Sequence, residues 1–91
     1  MATIIIPTPL RKFTKNTSRL SVSASDIHGS IQELTRHYPD LRKHLLSENG
    51  QIRSFVNIFV ENEDIRDLEQ ERTRVHENTV ISIIPAIAGG I

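Results

Sequence analysis

Ninety-one residues with 11 basic and 11 acidic side chains, and so no formal net charge, allow one modest core and argue against a general nucleic-acid binder, which is ordinarily basic. The chain contains no cysteine, which excludes disulfides, thiolate nucleophiles and thiolate metal sites; any sulfur chemistry here proceeds without a thiol. The charges are nevertheless sorted: residues 1–25 carry four basic and no acidic groups, residues 26–60 four of each, and residues 61–91 three basic and seven acidic. Such asymmetry can orient a docking event, and it can equally be the solvated faces of a globular domain.

The opening MATIIIPTPL has a short apolar run with its basic residues after it, so it predicts neither a signal peptide nor a membrane span, and the expected compartment is the cytoplasm. TIII at 3–6 and RLSVS at 19–23 read as two strands of a long-looped hairpin, with Ile4, Ile6, Leu20 and Val22 inward. Ser25 and Asp26 offer a helix N-cap. Ile27, Ile31, Leu34 and Tyr38 then recur at steps of four, three and four, the stripe of an amphipathic helix ending before Pro39. Gly29 weakens that helix by roughly 1 kcal/mol against alanine and predicts close packing on the sheet.

Leu41, Leu45 and Leu46 suggest a short second helix closed by Glu48-Asn49-Gly50. FVNIFVE at 55–61 alternates, placing Val56, Ile58 and Val60 on one face and Phe55, Asn57 and Phe59 on the other, where Asn57 marks the side nearer water. Asn62 to Asn78 is polar and reads as loop, short edge strand and turn, with Ile65, Leu68 and Val75 as apolar anchors. TVISIIP at 79–85 is a strand with Ile81 and Ile83 inward and Val80, Ser82 and Ile84 outward. Strand-rich ends around one long helix predict an α+β fold of the β-grasp type. In it a mixed sheet carries one main helix on one face, and the first and last strands are parallel neighbours at its centre. Residues 1–85 form that domain; residues 86–91 are expected to project as a flexible tail.

Catalytic chemistry is not evident in the body of the chain. His28, His37, His44 and His76 have no compact ligand spacing, and Gly29, Gly50, Gly89 and Gly90, the four glycines, form no phosphate-cradling loop. The chain is therefore expected not to be an enzyme, and to bind no metal or cofactor. The tail is different. Ala86, Ile87, Ala88, Gly89 and Gly90 are mostly small and all uncharged, and the glycine tip, without Cβ atoms, can enter a narrow channel and let backbone approach a bound nucleotide. A glycine carboxylate there is an unhindered nucleophile toward the α-phosphate of ATP. The alternative is a frayed terminus rich in small residues by chance.

Taken together, the β-grasp order, FVNIFVENEDIRDL at 55–68 and VISIIPAIAGG at 80–90 resemble the prokaryotic ubiquitin-like sulfur carriers of the MoaD/ThiS family. Within it, Val56-Asn57-Ile58 and Pro85-Ala86-Ile87-Ala88-Gly89-Gly90 look most like the cysteine-pathway branch. The resemblance implies that an E1-like adenylating enzyme uses MgATP to activate the Gly90 carboxylate, and that a sulfur donor protein then displaces AMP to leave a thiocarboxylate. It also implies docking through the exposed sheet face and the threaded tail, with Phe55, Phe59, Ile84, Ala86, Ile87 and Ala88 as partner contacts, and an acceptor synthase, pyridoxal-phosphate-dependent in the cysteine branch. The molybdopterin and thiamine branches, a ubiquitin-like protein modifier, and a plain β-grasp interaction module remain alternatives. Ile91 departs from the pattern, because most such carriers end at the second glycine. A JAMM-type metallopeptidase, associated with cysteine-pathway systems, is the expected agent of its removal. No nucleic-acid or membrane partner is expected.

Overall fold

The computed structural model describes residues 1–85; the sequence-based expectations for Ala86, Ile87, Ala88, Gly89, Gly90 and Ile91 lie outside them. β1 (Ala2–Ile5) and β2 (Arg19–Val22) form the expected hairpin. α1 (Ile27–His37) crosses one face of the sheet, followed by α2 (Arg42–Leu45). β3 (Val56–Val60), a two-residue β4 (Glu63–Asp64) and β5 (Val80–Pro85) complete a five-stranded sheet of order β2-β1-β5-β3-β4. β1 and β5 are parallel neighbours at its centre, with Thr3 beside Val80, Ile4 beside Ile81 and Ile5 beside Ser82. This is the β-grasp arrangement.

Alternation decides what is buried. Ile4, Ile6, Val22, Val56, Ile58, Ile81 and Ile83 point inward and meet Ile27, Ile31 and Leu34 from the apolar stripe of α1 in one core, with Leu20, Tyr38 and Val60 packed at its margin. A stripe at three- and four-residue steps lies along one side of a helix, so one helix covers the sheet. Asp26 is the N-cap, its carboxylate accepting from the Gly29 N–H at 2.8 Å. Arg36 occupies the last turn, where its positive charge complements the exposed carbonyl ends.

Three expectations are corrected. The loop between β1 and β2 contains a 3-10 helix, Thr8–Phe13, that buries Leu10; Thr14 closes it, its hydroxyl donating to the carbonyls of Arg11 at 3.2 Å and Thr17 at 2.9 Å. Gly29 makes its close approach to the connection before α1, not to the sheet: a Cβ there would lie 2.8 Å from the Ala24 Cβ. Leu68 is 37% exposed, while Ile65 and Val75 are buried as anchors. The tight 3-10 turn at Ile65–Asp67 spends its inward position on Ile65, and Leu68 follows at φ −117°, ψ −129°, leaving its side chain on the surface.

Candidate functional site

Among the described residues no helix lies over the sheet face opposite α1. Directly paired residues point to the same side, so the register places Phe59 beside Ser82, Asn57 beside Ile84, and Ile5 beside Ser82. Val80 and Thr3 extend the same face. Its apolar members are wet: Ile84 is 49% exposed, Phe55 43% and Val80 36%, whereas Phe59 is half-buried. Phe55 precedes β3 in the turn entering it, and Val56 pairs with Pro85. The structure therefore brings Phe55 and Ile84 to the end of β5 from which the chain runs on into residues 86–91, with Phe59 farther back on the same face opposite Ser82. Exposed apolar groups gathered in this way are the composition of a docking surface.

Arg66 was not singled out from sequence, because residues 62–78 read only as polar connection. Its Nη1 donates to Asn57 Oδ1, its Nη2 donates to the Ser54 carbonyl at 2.7 Å, and Asp64 lies 3.7 Å from Nη1. Asp64 also accepts from the Arg66 backbone N–H at 2.9 Å. One planar guanidinium thus staples the entry of β3 to β4 across the margin of the open face, a fork geometry that a lysine lacks. Asp64-Ile65-Arg66 carries a usable signal, an Asp positioned to cap its own i+2 N–H.

The four histidines are separate. His28 lies 3.6 Å from Glu71, His37 adjoins the Tyr38 ring, His44 stacks on Phe13 with centroids 4.2 Å apart, and His76 is exposed. Among the described residues no three His, Asp or Glu side chains are grouped to hold a metal ion. No helix among them is long and apolar enough to cross a membrane.

Comparison with known proteins agrees with this geometry. The model of the ThiS family matches residues 4–90. The sulfur carrier protein CysO of Mycobacterium tuberculosis is 33% identical over 90 residues, covering 97% of each chain. Among solved structures, that of the Amycolatopsis orientalis BexX/CysO complex contains a chain similar to this one with a TM-score of 0.89 and 26% identity, covering 99% of this chain and 100% of that one. The crystal structure of M. tuberculosis CysO gives a TM-score of 0.85 and 29% identity, covering 96% and 100%.

Proposed function

Because the chain belongs to the ThiS family and is a CysO-like sulfur carrier, a small ubiquitin-like protein and not an enzyme, we propose that it carries sulfur on Gly90 for cysteine synthesis. The observation that carries the reading is the junction of an open apolar face with the end of β5: Ile84 is exposed where Pro85 leads into Ala-Ile-Ala-Gly-Gly. A partner can grip the face while the narrow tail enters its active site.

The cycle starts with removal of Ile91. A residue beyond Gly90 turns the carboxylate into a peptide carbonyl, and the ThiS match stops at Gly90, which supports Gly90 as the working end. A JAMM-type metallopeptidase is the proposed agent. A carboxylate oxygen of Gly90 then attacks the α-phosphorus of MgATP in the adenylating enzyme, and pyrophosphate leaves. Sulfide delivered by the donor protein attacks the acyl carbon of the adenylate; the bond from that carbon to the phosphate oxygen breaks, AMP leaves with the electron pair, and a thiocarboxylate remains as the proton is lost to solvent. A pyridoxal-phosphate-dependent synthase accepts that sulfur. An isoleucine carboxylate would be a poor substitute for glycine, since a β-branched side chain overpacks a glycine-shaped channel by about 1 to 3 kcal/mol.

The test is ATP–pyrophosphate exchange by the cognate adenylating enzyme with the full chain and with the chain ending at Gly90, followed by intact-mass analysis after adding sulfur donor. The shorter chain is expected to exchange and to gain one sulfur in place of one oxygen, localised to its C-terminal peptide. Equal exchange by both forms removes the processing step. Lysine-linked conjugates without a thiocarboxylate move the chain to the modifier class, and transfer of sulfur only to a pterin or thiazole precursor moves it to another branch.

A further inference from the structure

The sorted charge noted in the sequence acquires a direction in the fold. β1 and β5 are parallel, Ile5 lying beside Ser82, so the chain leaves β1 at the same end of the sheet where β5 finishes at Pro85. β2 runs back antiparallel to β1, pairing Val22 with Ala2, and delivers the chain to the start of α1 at the opposite end. The C-terminal turn of α1 therefore returns to the Pro85 end, where the Tyr38 hydroxyl meets Thr17 Oγ1 at 3.4 Å and Phe13 stacks on His44. Two otherwise distant segments, residues 8–17 and 36–44, are thereby joined around the exit of the tail.

Their charge is strongly positive. Lys12, Lys15, Arg36, Arg42 and Lys43 are all exposed there; the acidic residue within the two segments is Asp40, and Glu48 is the one in the connection from α2 to β3. Among the described residues the ion pairs join His28 to Glu71 and Arg66 to Asp64, so these five cations have no carboxylate partner there. The helix macrodipole accounts for Arg36, but Lys12, Lys15 and Lys43 lie on other elements or on a helix of a single turn. The far end is mixed in sign: Glu61 and Glu63 lie in and after the β3–β4 turn and Glu77 in the turn before β5, all exposed, and exposed Met1, with its terminal ammonium, and Arg74 lie at the same end. The placement of the glutamates follows from Val60 pairing with Ile81 and from the Glu61 N–H donating to the Val80 carbonyl at 2.8 Å.

We propose that this positive collar is a docking surface for an acidic rim around the channel of the protein that takes up the tail. The inference rests on the carrier reading above. A channel deep enough to receive residues 86–90 must bring its mouth against the end of the sheet from which they leave, so the collar meets that mouth in every productive complex. Complementary charge there raises the encounter rate and fixes orientation, and does so less as salt rises. A nucleic-acid partner is the weaker choice: the rings in the collar, Phe13 and His44, are stacked on each other rather than presented to bases, and the chain has no net charge.

The test uses the chain ending at Gly90 and its adenylating enzyme, with exchange kinetics at low and high salt. Lys12→Glu combined with Lys15→Glu and Lys43→Glu is expected to raise KM for the carrier at least about tenfold at low salt with kcat unchanged, the gap closing near 0.5 M salt as screening shortens. The neutral set Lys12→Gln, Lys15→Gln and Lys43→Gln should show a smaller rise in the same direction, and Glu63→Lys with Glu77→Lys at the far end none. Thermal melting of each variant identifies any that fail to fold, for which the neutral set decides. Collar variants with wild-type KM overturn the collar alone. Equal effects of collar and far-end variants overturn it too, as does loss of binding to a single-stranded oligonucleotide with KM unchanged. A processed wild-type chain that is never adenylated overturns the carrier reading, and the collar with it.

Discussion

The imidazole of His44 lies against Phe13 with ring planes 29° apart, and its Nε2 is buried without a hydrogen-bond partner among the described residues. The stack favours the ring while the orphan nitrogen opposes it, since a buried unpaired polar atom costs about 1 to 3 kcal/mol. His44→Phe keeps an aromatic partner for Phe13 and removes the orphan, so urea denaturation should show unchanged or higher stability, by up to about 1 kcal/mol. A loss larger than that would mean the nitrogen is satisfied by water. The open face gives a second contrast within one strand. Ile58 is buried and should cost about 2 to 5 kcal/mol as alanine, whereas half-buried Phe59→Ala should cost less than the roughly 3 to 5 kcal/mol of a core phenylalanine and should instead raise KM for the adenylating enzyme. Collapse of the Phe59→Ala melt with affinity per folded molecule unchanged would place Phe59 in the core. Period-two alternation made these two positions legible in the sequence. His44 was not, because its surroundings are set by Phe13, thirty-one positions earlier.

Elements were legible where a period repeats several times. α1 offered four apolar positions and an N-cap, β3 and β5 offered full alternation, and their boundaries fall within a residue of expectation. The 3-10 helix at Thr8–Phe13 offered a single buried side chain, Leu10, among polar neighbours, and β4 is two residues long, too short for any period. Arg66 was hidden for a related reason: its partners Asn57 and Ser54 are brought to it by the chain reversal through β4. Gly29 shows where propensity and packing disagree. Alanine is the better helix former by about 1 kcal/mol, but its Cβ would meet the Ala24 Cβ at 2.8 Å and Asp26 Oδ1 at 3.1 Å. Ala24 has no flexible end to move, and the Asp26 carboxylate is held by the Gly29 N–H. Overpacking of about 1 to 3 kcal/mol should therefore outweigh the propensity gain. Gly29→Ala is expected to lower the urea midpoint without changing the m-value; a higher midpoint would show that the connection before α1 yields freely.

At the scale of the whole molecule, the central parallel pair separates what holds the fold from what the carrier presents. β1 and β5 come from opposite ends of the sequence, so the core closes only when both are in place, yet every buried hydrophobic residue among those described lies between Ala2 and Ile83. Pro85 completes the β5 ladder opposite Val56, and of the six residues after it two are alanine and two glycine, leaving Ile87 and Ile91 as the large apolar side chains against the core already closed before them. A chain ending at Pro85 should consequently melt within a few degrees of the full one, because about 1 kcal/mol corresponds to roughly 4 to 8 °C in a domain this size. It should at the same time support no pyrophosphate exchange. Ile81→Ala, in the strand at the centre of the sheet and fully buried, should do the reverse: stability falls by about 2 to 5 kcal/mol, while the fraction still folded is adenylated normally once processed to Gly90. Differential scanning calorimetry on both variants, with exchange measured per folded molecule, checks the separation. A large drop in melting temperature on truncation would show that residues 86–91 pack on the domain, and the face beside Ile84 would then have an occupant from its own chain.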